Sequence, residues 1–209
     1  MPVKTVTVFC GSRPGHDPKW VALAEEVGRE MVQRDMALVF GGGSNGLMGA
    51  VAGAVVEAGG KSTGVIPESL LAIEPALEGL TELFVVDSMH TRKFIMSERA
   101  DAFLVLPGGI GTFEEFFEIW TWHQIGLHNK PIVLFNAFDY YTPLLGFLEQ
   151  AMHEGFVRPE HHCHLRVATS VREALDGVLV PCEPSPLFEI LGGAGKALSV
   201  PGGNHKPPE

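Results

Sequence analysis

Val3 to Phe9 alternates apolar and polar positions before breaking at Cys10-Gly11-Ser12-Arg13-Pro14-Gly15, and Met36 to Phe40 is a short apolar run ending in Gly41-Gly42-Gly43. Both read as buried strands. Between them Trp20, Leu23, Ala24, Val27 and Met31 recur at steps of three and four, while Glu25, Glu26, Arg29 and Glu30 fill the other face. That periodicity predicts an amphipathic helix. The alternation continues with a helix near Asn45 to Ala58, strands near Ser62 to Ile66 and Leu83 to Val86, and a helix from Met89 to Ala100. A strand over Ala102 to Leu106 and a helix from Thr112 to Gln124 follow, then a strand at Ile132 to Phe135 and a helix from Tyr140 to Glu154. A strand near Leu165 to Ala168 and a helix from Val171 to Leu179 complete the series. Strands this uniformly apolar are covered on both faces, and right-handed crossovers make them parallel. The predicted fold class is therefore α/β: a doubly wound parallel sheet of six or seven strands flanked by helices, with ligands at the carboxyl ends of the strands.

The pattern stops near the end. Pro181 to Glu209 holds 6 Pro and 5 Gly in 29 residues, too many for sustained helix or strand. Residues 1–180 are read as a single domain and 181–209 as an irregular tail, whose Leu187, Phe188, Ile190 and Leu191 could dock on the body or on a partner subunit. A chain that is 45% hydrophobic and 19% charged buries a sizeable core and is not intrinsically disordered. Lys+Arg 15 against Asp+Glu 25 leaves a net charge of −10, which argues against a general nucleic-acid or anionic-membrane surface. An anionic ligand must then be held by local geometry. No apolar run reaches the roughly 18 residues of a membrane span, and Met1 to Gly11 lacks the apolar stretch of a secretory signal, so the expected compartment is the cytoplasm. Cys10, Cys163 and Cys182 are too few and too widely spaced for a disulfide scaffold and are expected as reduced thiols.

Three predicted strands end in small-residue loops that open onto a helix: Cys10-Gly11-Ser12, Gly41-Gly42-Gly43-Ser44-Asn45-Gly46 and Pro107-Gly108-Gly109-Ile110-Gly111-Thr112. Together they would floor one cleft. A glycine loop brings backbone N–H groups close to a ligand, and the following helix N-terminus favours an anion, so a phosphate fits there. A tight strand-to-helix turn accounts equally well for any one of them. The second loop carries competing patterns. Gly41-x-Gly43-x-x-Gly46 matches a dinucleotide fingerprint, with Glu68 about 20 residues on, but it follows the second strand instead of opening the fold. Gly42-Gly43-Ser44-Asn45-Gly46 also fits a nucleophile elbow, which would make Ser44 a hydrolase nucleophile. Alternatively Ser44 or Asn45 caps a helix. Gly60-Lys61-Ser62 imitates the end of a P-loop, yet the required glycine five residues earlier is Val55.

The segment from Asp101 to Trp122 carries the most chemistry. Its strand delivers Gly108-Gly109-Ile110-Gly111 to a helix beginning Thr112-Phe113-Glu114-Glu115, with Phe113, Phe116, Phe117 and Trp120 as an aromatic stripe that feeds either a core or an interface. Thr112 and Glu115 have the spacing of a capping box. Glu114 and Glu115 also put two carboxylates in the first turn, beside a loop suited to phosphate. A phosphate on the N–H groups of Gly109, Gly111 and Thr112 would leave a carboxylate one turn away to act on the attached sugar. Upstream, Asp87-Ser88-Met89-His90-Thr91-Arg92-Lys93 opens another helix. Arg92 and Lys93 oppose the macrodipole there and need a carboxylate or phosphate in compensation, either a surface pair with Asp87 or Glu98 or a ligand. His161-His162-Cys163-His164 contains metal-binding residue types, but adjacent positions on an extended chain point to opposite sides, so a solvated turn is expected and no metal.

Pro107-Gly108-Gly109-Ile110-Gly111-Thr112-Phe113-Glu114-Glu115 is a PGGxGTxxE sequence, and Met89-His90-Thr91-Arg92-Lys93 accompanies it as MHxRK. On these motifs the chain resembles the LOG (LONELY GUY) family of cytokinin riboside 5′-monophosphate phosphoribohydrolases, often mislabelled lysine decarboxylases. The likeness runs from about Val3 to Leu179 and includes Gly64-Val65-Ile66-Pro67, the Thr121 to Pro131 segment and Tyr140-Tyr141. It implies a Rossmann-like nucleotide-binding catalytic domain that hydrolyses the N-glycosidic bond of an adenine-type nucleoside monophosphate, such as AMP or isopentenyladenosine monophosphate. The products are free base and ribose 5-phosphate. The resemblance makes Arg92 and Glu115 the catalytic pair, with Gly108, Gly109, Gly111 and Thr112 holding the 5′-phosphate. Ser12, Gly42, Gly43, Met89, Lys93 and Glu114 would line the nucleotide pocket. It implies no cofactor and a homodimer. The rival is a binding module that carries a nucleotide-like cofactor, such as the molybdenum cofactor of related carrier proteins, without catalysis.

Overall fold

The structure is a computed structural model that describes residues 4–162 and 165–183. The tail from Pro184 onward, including Leu187 to Leu191, lies outside the described residues, as do Val3, Cys163 and His164. The chain runs β1 (Thr5–Phe9), α1 (Lys19–Gln33), β2 (Ala37–Phe40), α2 (Gly46–Glu57), β3 (Ser62–Pro67), α3 (Glu68–Leu71) and β4 (Glu82–Val86). It continues through α4 (Met89–Arg99), β5 (Ala102–Val105), α5 (Ile110–Gln124) and β6 (Ile132–Phe135). A 3-10 turn (Ala137–Asp139), α6 (Thr142–His153), α7 (Pro159–His162), β7 (Leu165–Ala168) and α8 (Val171–Gly177) complete it.

All seven strands join one parallel sheet in the order β4-β3-β2-β1-β5-β6-β7. Strand alternation divides the core in two. Val6, Val8, Leu38, Phe40 and Leu104 point to the side covered by α1, α2 and α8, where Val27, Met31, Val51, Val55 and Leu175 meet them. Phe9, Val39, Val65, Phe103 and Val105 point to the other side, against Met96 of α4, Phe116 and Trp120 of α5, and Tyr141. Helices on both faces are what a parallel sheet needs to bury two apolar surfaces.

The winding direction reverses between β1 and β5. The chain leaves β1 through β2 and β3 to one edge, then returns to place β5 on the other side of β1. The carboxyl ends of β1 and β5 therefore flank the switch point, where such sheets form a crevice. The N–H of Gly11 after β1 donates to the carbonyl of Pro107 after β5 at 3.0 Å, and that of Leu47 in α2 donates to Gly11 at 2.9 Å.

Three local expectations change. Strand β4 is an edge strand whose Leu83 and Val85 are exposed, so it is not covered on both faces as the apolar run implied. Helix α5 starts at Ile110, with Gly109 at its N-cap position. Thr112 therefore sits inside the first turn, and the capping-box reading of Thr112 and Glu115 fails. The segment expected to be a solvated turn at His161 contains the one-turn helix α7, and the His161 carbonyl accepts a hydrogen bond from Trp120 Nε1 at 3.2 Å. Among the described residues no group of three His, Cys, Asp or Glu side chains could hold a metal ion, and no helix is long and apolar enough to cross a membrane.

Candidate active site

A pocket of about 750 Å³ opens over the switch point, within the range of small-molecule sites. Its walls come from the loop after β1, the starts of α2 and α4, Leu70 and Glu74 around α3, and the Pro107 to Glu115 segment. Ser12, Met89, Arg92, Gly108, Gly109, Gly111, Thr112, Glu114 and Glu115 all line it, so most of the expected site residues converge.

The anion seat follows from how α5 begins. The first intrahelical bond is from Phe113 N–H to the Gly109 carbonyl at 3.0 Å, which leaves the amides of Ile110, Gly111 and Thr112 without helical acceptors. Open space lies where a Cβ of Gly109 or Gly111 would stand. Free amides and the positive end of a 15-residue helix make this a place for a phosphate without any cationic side chain. Two tyrosines brace the loop, and Tyr140 also lines the pocket. Tyr140 Oη donates to the Gly108 carbonyl at 2.5 Å, and Tyr141 Oη to that of Leu106 at 2.7 Å.

The two carboxylates of the first turn diverge. Glu114 is exposed and pairs with Lys93, which also binds Glu118 at 3.0 Å. This couple accounts for the cation near the start of α4, and Lys93 is not part of the pocket wall. Glu115 is half-buried, and among the described residues no hydrogen bond holds its carboxylate. Burial pushes its pKa up to about 7, against a smaller downward pull from Arg92. A carboxyl group poised there exchanges protons at neutral pH, a property found at catalytic positions.

Arg92 pairs with neither Asp87 nor Glu98. Asp87 accepts instead from Thr91 Oγ1 at 2.6 Å, and the Ser88 side chain caps α4. Arg92 is 6% exposed, and its guanidinium donates through Nη2 to the Gly41 carbonyl at 3.3 Å and through Nη1 to Met89 Sδ at 3.7 Å. Its Nε is buried without a hydrogen-bond partner among the described residues, a costly arrangement that an incoming acceptor relieves.

The glycines after β2 have a different purpose from the one expected. A Cβ on Gly41 would overlap the Arg92 guanidinium, and one on Gly43 would overlap the Glu74 carboxylate. Gly42 has φ +82 and packs against Val65 and Ile66, a conformation that suits glycine. Gly42 and Gly43 themselves do not line the pocket. Ser44 donates to the Pro75 carbonyl at 3.0 Å and is also outside the pocket wall, and Asn45 occupies the N-cap position of α2 without a side-chain bond.

Sequence reasoning missed Glu74 and gave Tyr140 no separate role. Glu74 is the lone charge within Leu70-Leu71-Ala72-Ile73-Glu74-Pro75-Ala76-Leu77, and that isolation was the available signal. Nothing local to Tyr140 announces its bond to Gly108, which joins residues 32 apart.

An open parallel sheet with a crevice at its switch point, free helix amides and an acid beside a buried guanidinium together define a Rossmann-like α/β protein with a pocket suited in its geometry to an anion. A family model described as "Possible lysine decarboxylase" matches residues 48–178. The cytokinin riboside 5′-monophosphate phosphoribohydrolase of Rhodococcoides fascians is 50% identical over 179 residues, 85% of this chain and 90% of that protein. LOG1 of Arabidopsis thaliana, with the same enzyme name, is 44% identical over 170 residues, covering 81% of this chain and 80% of its own. The chain belongs to this family, the LOG proteins. Among solved structures, the molybdenum cofactor carrier protein of Chlamydomonas reinhardtii superposes with a TM-score of 0.63 at 19% identity, covering 84% of this chain and 95% of that one. That likeness establishes a common fold.

Proposed function

We propose that the protein hydrolyses the N-glycosidic bond of a purine riboside 5′-monophosphate, giving the free base and ribose 5-phosphate. The observation that carries this reading is the meeting of Arg92 and Glu115 in one pocket with the unpaired amides of Ile110, Gly111 and Thr112. The names of the R. fascians and A. thaliana relatives support it. No lysine is among the residues lining the pocket, so the amine that a Schiff-base decarboxylase requires is not placed there.

The amides hold the 5′-phosphate, and this remote binding fixes the sugar against the reacting groups. As the bond from C1′ to the base lengthens, the sugar gains oxocarbenium character, and the Glu115 carboxylate stabilises that charge and orients water. The water oxygen bonds to C1′ while the base departs with the bonding pair. One water proton goes to the base, and the other stays on the new hydroxyl of ribose 5-phosphate. Arg92 presents its free Nε and its remaining N–H groups to ribose hydroxyls or to the carboxylate.

The test is incubation of the purified protein with AMP and isopentenyladenosine monophosphate, with free base detected by chromatography. Release from both nucleotides and little from the nucleosides is expected. Tight binding without base release would select the carrier reading. The same proposal places the enzyme in the cytoplasm as a homodimer, with the exposed Ile110, Phe117, Ile125 and Leu127 along and after α5 covered by a second copy. Sedimentation giving a monomer at micromolar concentration would overturn that assembly.

A further inference from the structure

We infer that Glu74 selects the base by accepting a hydrogen bond from the exocyclic 6-amino group of an adenine-type purine. This inference rests on the proposed phosphoribohydrolase reading and adds a specificity residue to it. The segment after α3 runs antiparallel to the loop after β2, joined by the Gly43 to Ala76 bridge, the Ser44 N–H to Pro75 bond at 3.1 Å and the Leu77 N–H to Gly42 bond at 3.1 Å. These bonds hold Glu74 over Gly43, where the absence of a Cβ makes room for its carboxylate. Oε1 is shut off from solvent there without a hydrogen-bond partner among the described residues, while the side chain forms part of the pocket wall. A buried polar atom left unpaired in a binding pocket calls for a partner brought by the ligand.

The order of the strands says which part of the ligand that is. The anion seat follows β5, the Ser12 loop follows β1, Arg92 leans on Gly41 after β2, and Leu70 and Glu74 follow β3. The Glu74 carboxylate packs on Gly43, which follows β2, so two strand spacings, about 10 Å in all, separate the phosphate end from the Glu74 end. With the sugar at Arg92 and Glu115, an extended nucleotide brings its base to Glu74. Leu70, Met48 and Met89 line the pocket with Glu74 and provide apolar surface for the ring and for a 6-amino substituent. An adenine alkylated on that amine keeps one N–H for the carboxylate. A purine with no 6-amino group leaves the carboxylate unpaired, the condition under which hydrogen-bonding sites discriminate most strongly.

The test is a cycle that crosses Glu74→Ala and Glu74→Gln with AMP and purine riboside 5′-monophosphate, which lacks only the amine. Wild-type kcat/KM is expected to favour AMP by at least about tenfold beyond the preference of Glu74→Ala. Glu74→Gln, which keeps an acceptor oxygen, retains part of that coupling, and the AMP effect falls mainly on KM. Equal losses on both nucleotides would overturn the inference. Titration calorimetry with the two nucleotides on Glu115→Gln, with and without Glu74→Gln, reads the same coupling as affinity where nothing is turned over. No base release by the wild type, with the affinity coupling present, would refute the hydrolase and leave the role of Glu74 standing. Absent coupling in the calorimetry would refute Glu74 alone.

Discussion

Replacing Glu115 by Gln should stabilise the protein while removing its activity. Folding raises the pKa of this carboxyl from its usual 4.5 to about 7, with burial as the main cause. Below pH 4.5 the group is protonated in both folded and unfolded chains and costs nothing. Between 4.5 and about 7 the unfolded chain ionises first, and above about 7 the folded protein carries a charge that its pocket disfavours. At about 1.4 kcal/mol for each tenfold change in proton affinity, the burden above pH 7 comes to about 3 kcal/mol. That is an upper bound, because the half-buried carboxylate keeps some contact with water. Glutamine keeps the shape of the neutral acid and lifts the burden. For a chain of this size the gain corresponds to roughly 6–12 °C in Tm at pH 8, shrinking to nothing at pH 4. Thermal unfolding by circular dichroism across pH 4 to 8, beside the base-release assay, measures both effects. Equal Tm values at pH 8, the same gain at both pH extremes, or wild-type turnover by the variant would refute the reasoning.

Three further substitutions do not touch that carboxylate. Gly41→Ala puts a methyl group where the Arg92 guanidinium lies, so kcat/KM for AMP should fall about 100-fold with the far-ultraviolet dichroism unchanged; activity within twofold of wild type would contradict the role given to Arg92. Tyr140→Phe removes the brace on Gly108, worth about 1 kcal/mol, and should raise KM for AMP about fivefold with little change in kcat. An equal effect on adenosine would show that the loop does not serve the phosphate. Phe116→Ala empties a fully buried position stacked on Trp120 at 5.6 Å and should cost about 3–5 kcal/mol in urea unfolding. Because Glu115 acts ionised, kcat/KM should rise with pH through about 7, and a profile falling across that range would recast it as a general acid.

Much of the fold and the core of the site were legible because they depend on short-range pattern. The two-residue alternation of Val6 and Val8 and the three- and four-residue steps of Leu23, Val27 and Met31 each dictate which face is buried, whatever lies opposite. Gly108 to Glu115 was readable for a similar reason: a strand, a glycine turn and a helix start occupy consecutive residues, so the amides and the carboxylate are neighbours in the chain and in space. The same local logic misplaced the start of α5, since Thr112 is a good cap by type while Gly109 actually ends the extended chain. It also treated β4 as covered, although coverage depends on which strand becomes the edge.

The sequence by itself determined a parallel α/β sheet and a glycine turn that opens onto a helix start, and it pointed to Arg92 and Glu115 as the pair to watch. Only the tertiary structure decided what each side chain faces. It turned Glu115 into the pocket and tied Glu114 to Lys93. It set Gly41 against Arg92 and Gly43 against Glu74. The physical reason is that a glycine in sequence records only that a Cβ is forbidden, and the atom that forbids it comes from a residue distant in the chain: Arg92 lies 51 residues from Gly41, and Glu74 reaches Gly43 from beyond β3.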